Sequence, residues 1–263
     1  MKKLIYQVYT GKRSELYDHC TQSVREYADR IGSEYIIQRE PILRIAPDIF
    51  TTNRSRESYE KYGGFLPIYE KENAFAYLDS YDQIAIIDAD IFIRPDCDEC
   101  LFSASGTDCD FAGVIERTMA ITPEYQAKIH NYSRMQYAHN SISELFDWNN
   151  LGADFYNMGI MVCNKGMHKF MHGLTPYEFI TQPKFKPFID GIGNWKWSTD
   201  QTLLNVWVKE ERMRTKNLSF HFNALFSAIP NKRIKQSYFV HFFLKDRLPD
   251  HGDNVTELMR YVE

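Results

Sequence analysis

The chain has 263 residues, 44% hydrophobic and 25% charged, enough to bury one substantial core, and it reads as a single soluble globular domain. Its 31 basic against 35 acidic side chains give a formal net charge of -4, with no sustained Lys/Arg run to track a phosphate backbone, so nucleic acid is not an expected partner. No segment approaches the roughly 20 apolar residues that span a bilayer.

The N-terminal "MKKLIYQVYTGKRSE" is interrupted by Gln7 and ended by Gly11, Lys12 and Arg13 before a signal-peptide core could form. Five cysteines without a sign of secretion are expected as reduced thiols in a cytoplasmic compartment. Within that run, "LIYQVYT" (4–10) predicts a first strand. A helix is expected from about Glu15, because Leu16, Cys20, Val24, Tyr27, Ala28 and Ile31 recur at helical spacing, Ser14 can cap its start and Gly32 can end it. "EYIIQ" (34–38) then makes a second strand. Such a βαβ opening predicts an α/β fold whose sheet is mostly parallel, with its ligand site at the carboxyl ends of the strands.

A polar stretch from Pro41 to Gly64 breaks the pattern, and a helix near Tyr69 to Leu78 leads into "IAIIDADIFI". The all-apolar "IAII" has the character of a central strand buried on both faces. Further strands are expected at "DFAGVI" (110–115), "NMGIMVC" (157–163) and "YFVHFF" (238–243), with a helical insertion over 118–150 and a helix opening at Ser198. Residues 221–263 form a C-terminal segment of the same domain. Cys97 and Cys100 make a Cys-x-x-Cys, but no second pair or close histidine completes a zinc site.

Asp88 and Asp90 end a run of isoleucines, where buried charge is costly unless paired or bound to metal. Two carboxylates at i and i+2 can hold a divalent ion that keeps open positions for a diphosphate. Haloacid dehalogenase phosphatases also carry Asp-x-Asp after an apolar strand, but near the N-terminus and followed by Thr or Val, whereas Ile91 follows here. Ser198-Thr-Asp-Gln201 can be read as a capping box, with Gln201 bonding back to the helix start and Asp200 favouring the helix dipole. Trp195 and Trp197, in the glycine-rich "GIGNWKW", could stack on an acceptor sugar or pack as a lid.

Four stretches in order, "IAIIDADIFI", "FYNMGIMVCNK", "TDQTLLN" and "FVHFFLKD", resemble the GT-A glycosyltransferases, and within them the family of glycogenin and the bacterial lipopolysaccharide galactosyl- and glucosyltransferases. The resemblance implies a GT-A fold and transfer of a hexose from a nucleotide diphosphate donor, expected to be a UDP-sugar, to a hydroxyl acceptor such as a glycan, with retention at the anomeric carbon. It implies that Asp88, Asp90 and His241 bind Mn2+ or Mg2+, and a mixed oxygen and imidazole set favours manganese. Lys71 and Lys245 would stand near the diphosphate, with Ala89 between the two acids also against the donor. Asn157 and Gly159 would meet the donor sugar, Asp200 and Gln201 its anomeric centre, and Tyr9, Thr10 and Arg13 the nucleoside. After His241 that family has a glycine and then Lys-Pro-Trp, whereas this chain has "FFLKDRLPDH". The two competing readings are a phosphatase and a sugar-nucleotide binding protein without turnover.

Overall fold

The computed structural model describes residues 1–262. Its strands are β1 (Lys3–Val8), β2 (Glu34–Gln38), β3 (Gln83–Ile87), β4 (Ile91–Ile93), β5 (Phe111–Ile115), β6 (Trp148–Asn149), β7 (Gly152–Ala153), β8 (Tyr156–Asn164), β9 (Thr215–Asn217), β10 (Ala224–Leu225) and β11 (Phe239–His241). Six of them form the main sheet in the order β2-β1-β3-β8-β5-β9. The pairings β1 with β2, β1 with β3 and β5 with β9 are parallel, while β8 runs antiparallel to both of its neighbours. Every residue of β3 and β8 is buried, as expected for central strands covered on both faces.

The first helix, Glu15–Arg30, buries Leu16, Cys20, Val24, Tyr27 and Ala28, the face its spacing predicts. Ser14 stands at the N-cap position in extended backbone but caps nothing; its hydroxyl instead accepts from Lys245 Nζ at 3.3 Å. The helix expected near 69–78 is replaced by two 3-10 segments, Pro67–Tyr69 and Lys71–Tyr77. Between them Glu70, fully buried, accepts the N–H groups of Ile42, Leu43 and Arg44 and the amide of Gln38. That carboxylate ties the polar stretch 41–64 to the domain, with side-chain and backbone donors replacing water.

"IAIIDADIFI" is two strands rather than one. β3 ends at Ile87, Asp88 to Asp90 form a turn, and β4 leaves the main sheet for a three-stranded one in the order β10-β11-β4. There β4 runs antiparallel to β11 with Ile91 opposite His241, which brings residue 241 beside the two acids. The 118–150 stretch holds the helix Pro123–Tyr137, capped by Thr122, a short helix Asn140–Ser143 and the first strand of the β6–β7 hairpin. The late helix spans Asp200–Glu210, and its cap is Thr199 rather than Ser198: the Thr199 hydroxyl accepts the N–H of Gln201.

Candidate functional site

At the end of β3 the backbone of Asp88 is held on two sides, its N–H donating to Gly159 O at 2.9 Å and its carbonyl accepting from Gln7 Nε2 at 3.1 Å. The Asp90 carbonyl accepts from Phe242 N–H at 2.9 Å, clamping the turn to the strand that carries His241. His241 Nε2 consequently lies 3.2 Å from Asp90 Oδ1 and 3.9 Å from Asp88 Oδ2. One ligand atom from each of Asp88, Asp90 and His241 falls within 4.8 Å of the others. Two carboxylate oxygens and one imidazole nitrogen converging this closely fit a divalent ion, since hard cations take carboxylates and first-row metals take imidazole.

The electrostatics of the cluster are those of a pocket built around positive charge. Burial lifts the Asp88 carboxyl above its usual range, against the pull of Lys71. Burial also acts on Asp90, but there the attraction and hydrogen bond of His241 prevail and hold the carboxyl below its usual range. His241 loses basicity by burial and regains more from Asp90 and Asp88, so its pKa is raised.

Lys71, taken alone a surface lysine, is buried among acids. Its ammonium pairs with Asp88 Oδ1 and Asp200 Oδ2, each at 2.8 Å, and donates to Met158 O at 3.0 Å. The contacts to Asp88 and Met158 are hydrogen bonds, and that to Asp200 is an ion pair. The link ties the start of the late helix to the metal turn. Next along the helix, Gln201 does not reach back to the cap: its Oε1 accepts the Met158 N–H at 3.1 Å. Asn205 fastens the same helix to β8 through Tyr156, accepting its N–H at 2.7 Å and donating to its carbonyl at 2.8 Å. These contacts are possible because β8 bulges out of its pairing with β5, where Gly113 faces Met161 but Val114 faces Asn157.

Two clefts meet at this point. The first, about 300 Å³, is lined by Tyr9 and Thr10 at the end of β1, by Tyr17, and by Lys71, Asp88, Ala89, Asp90 and Asp200. The second, about 410 Å³, is lined by Asn157, Gln201, Glu116, Tyr125, Tyr132 and Phe243, among others.

No protein-family model matches the sequence, and comparison with curated protein sequences finds no match. Solved structures do match over the whole length. A glycosyltransferase involved in the glycosylation of the major capsid of PBCV-1 covers 99% of this chain and 100% of its own, at 11% identity and a TM-score of 0.53. The galactosyltransferase LgtC, solved with donor and acceptor sugar analogs, covers 98% of this chain and 95% of its own, at 12% identity and a TM-score of 0.53. The bifunctional glycosyltransferase WbbM covers 98% of this chain and 49% of its own, at 12% identity and a TM-score of 0.51. The chain has the GT-A glycosyltransferase fold. The haloacid dehalogenase reading of Asp88 and Asp90 is not favoured by these neighbours.

Within this GT-A fold, the first cleft gathers Tyr9, Thr10, Lys71, Asp88, Ala89, Asp90 and Asp200 from four separate stretches of sequence. Lys245 stands at its margin, its ammonium 4.4 Å from the Tyr17 ring centroid. Arg13 is exposed and lines neither cleft. Gly159 does admit a close approach, but of a protein side chain: a Cβ there would lie 2.5 Å from His241 Cε1 and 2.7 Å from Nδ1. Neither tryptophan lines the two clefts. Trp195 packs on Phe188 at 4.9 Å between ring centroids and donates its indole N–H to Gln136 O, while Trp197 is 60% exposed. Cys97 is buried with its thiol toward Glu99 O, and among the described residues no metal-competent cluster includes it or Cys100.

Sequence reasoning passed over four residues of this candidate site. Glu116, buried at the end of β5, accepts from Tyr125 OH at 3.1 Å and from Asn157 Nδ2 at 3.2 Å. Burial raises its pKa. Asn223 joins Asn157 to His241, and Glu72 is buried beside the Lys71 cluster. Tyr132 adds an aromatic wall to the second cleft. Glu116 follows directly on an apolar strand, as Asp88 does, and that was its one visible signal.

Proposed function

We propose that this protein is a metal-dependent glycosyltransferase that moves a hexose from a nucleotide diphosphate sugar, a UDP-sugar by preference, to a hydroxyl acceptor such as a glycan. The observation that carries the reading is the meeting, in one cleft at the carboxyl end of β3, of Asp88 and Asp90, backed by His241, with an Asp200 carboxylate tied to them through Lys71. Asp88, Asp90 and His241 would hold Mn2+ or Mg2+, which supplies positive charge against the leaving diphosphate. The imidazole in the donor set favours manganese.

The remaining roles follow from position. Tyr9, Thr10 and Ala89 line the first cleft on the side of β1 and the metal turn, suited to the nucleoside end of the donor, with Arg13 on the loop that follows β1. Lys71 holds Asp200 in place to accept hydrogen bonds from sugar hydroxyls, and Gln201, held by the Met158 N–H, faces the second cleft. That second cleft would receive the acceptor, its hydroxyl presented past Asn157 and Gln201 and its ring laid against Tyr125, Tyr132 and Phe243. Lys245 would approach the diphosphate from the margin of the first cleft.

Transfer with retention fits this arrangement. Asp200, on the wall between the two clefts, is paired with Lys71 and so weakened as a nucleophile, and Glu116, which lines the second cleft, is engaged by Tyr125 and Asn157 with its pKa raised by burial. The anomeric carbon would lose its bond to the diphosphate oxygen and gain one to the acceptor oxygen on the same face, the acceptor proton passing to the departing phosphate oxygen. Incubation with UDP-hexoses, Mn2+ and glycan acceptors, with release of UDP as the readout, tests the proposal. Acceptor-dependent release that EDTA abolishes is expected. Donor binding without release under any acceptor would leave a sugar-nucleotide binding protein, and hydrolysis of simple phosphoesters would return the phosphatase.

A further inference from the structure

A chain of amides runs behind His241, and the direction of every bond in it follows from one backbone group. Gly159 N–H lies 3.0 Å from the Asn157 side chain, and a backbone N–H can only donate, so the atom it meets is Asn157 Oδ1. Asn157 Nδ2 then faces Glu116, whose carboxylate accepts at 3.2 Å. The same Asn157 Oδ1 accepts from Asn223 at 2.9 Å, which makes the donating atom Nδ2 and turns Asn223 Oδ1 the other way. That oxygen sits 3.0 Å from His241 Nδ1. An amide oxygen cannot donate, so Nδ1 carries the proton.

The consequence lies on the opposite edge of the ring. With Nδ1 held protonated by Asn223, Nε2 is the atom turned toward Asp90 Oδ1 and Asp88 Oδ2, at 3.2 and 3.9 Å; it donates to Asp90 when the ring is charged and would offer its lone pair to an ion held between the acids. Either a proton or a metal ion must lie between Nε2 and the carboxylates, and with the ion bound the Nδ1–H form is the tautomer a metal ligand needs. Both amides are buried, Asn223 fully, so no water competes for these bonds. Gly159 serves twice: its N–H sets the direction of the chain, and its missing Cβ leaves room for the imidazole.

We infer that Asn223, oriented by Asn157 and the Gly159 N–H, is a positioning residue that holds His241 in the Nδ1–H tautomer with Nε2 aimed at the ion. The inference rests on the metal site proposed above. Asn223 also links that site to the second cleft, because Asn157 and Glu116, which continue the chain, line its wall.

The test measures Mn2+ affinity by electron paramagnetic resonance, without donor or acceptor, for the wild type, Asn223→Leu and Asn223→Asp. Leucine matches the size but offers no acceptor, and a loss of about ten- to a hundredfold in affinity is expected, the usual cost of removing such a partner. Aspartate keeps an acceptor for Nδ1–H while setting an oxygen against Asn157 Oδ1. It should lower the melting temperature yet keep Mn2+ affinity within about threefold of the wild type, well inside the loss expected of leucine. A merely structural role predicts instead that affinity follows melting temperature in both variants. Nitrogen-15 shifts of His241 in the Mg2+-loaded protein should report protonated Nδ1 and unprotonated Nε2; the opposite tautomer overturns the inference. Wild-type affinity in Asn223→Leu overturns it while leaving the metal site standing, and a wild type that binds no Mn2+ overturns both.

Discussion

Asp200 and Gln201 are adjacent in the chain and face different clefts: Asp200 lines the first with the Asp88–Asp90 turn, and Gln201 lines the second with Glu116 and Tyr125. The first turn of the late helix is thus the wall between the two clefts. Its cap is supplied by Thr199, which leaves both side chains free of the capping duty their spacing suggested.

Cap and site can therefore be separated by substitution. Thr199→Ala should cost about 1 kcal/mol of stability, as loss of a helix cap usually does. Gln201→Ala, which leaves the Met158 N–H without its acceptor, should cost about 1 kcal/mol as well but also lower turnover by at least about tenfold, or 1.4 kcal/mol of barrier, with little change in donor affinity. Normal turnover in Gln201→Ala would return this residue to a role in packing.

Removing one carboxylate of the metal triad should be decisive for activity. Asp90→Asn is expected to abolish Mn2+-dependent release of UDP while circular dichroism stays unchanged, because the Phe242 N–H bond to the Asp90 backbone carbonyl, which holds the turn, survives the substitution. Full activity of the wild type in EDTA would remove the metal from the proposal.

Gly159→Ala tests the space kept for the imidazole. The added Cβ would stand 2.5 Å from His241 Cε1, closer than packed atoms tolerate, so the ring must leave the position that sets Nε2 against Asp88 and Asp90. Mn2+ affinity should fall together with turnover. Unchanged Mn2+ affinity would show that the ring can shift without loss of ligation.

Glu72 carries a pH dependence of stability. It is fully buried, and among the described residues neither carboxylate oxygen has a hydrogen-bond partner. Burial first, and then the negative charge of Asp200, hold its pKa well above the ordinary 4.5. The folded chain therefore keeps a proton that the unfolded chain releases, and stability falls as pH rises from the ordinary value toward the folded one. Glu72→Gln abolishes that titration, so it should raise the melting temperature more at pH 8 than at pH 5. A gain independent of pH would mean that Glu72 ionises alike in both states.

Nucleotide preference can be read without any acceptor. UDP with Mn2+ should raise the melting temperature more than GDP or CMP with Mn2+, because a ligand bound only by the folded state stabilises it by mass action. Equal shifts would leave the base unselected.

The amino-acid sequence by itself determined the elements whose signal is local. β1, the first helix and β2 were legible from periodicity, and β3 from four consecutive apolar residues, because side-chain burial repeats along an element in a fixed period. Asp88 and Asp90 stood out for the same reason, as charge where burial was expected. Tertiary structure alone decided what those acids face. The break after Ile87 sends β4 into a second sheet, and its pairing with β11 brings His241, some 150 residues away, beside Asp90. Lys71 became a buried bridge, and Glu116, Asn223, Glu70 and Glu72 became interior groups, through contacts with residues distant in the chain or through burial that no period announces. Hydrogen bonds and ion pairs require only that two groups meet in space, so their partners carry no spacing along the sequence from which they could be read.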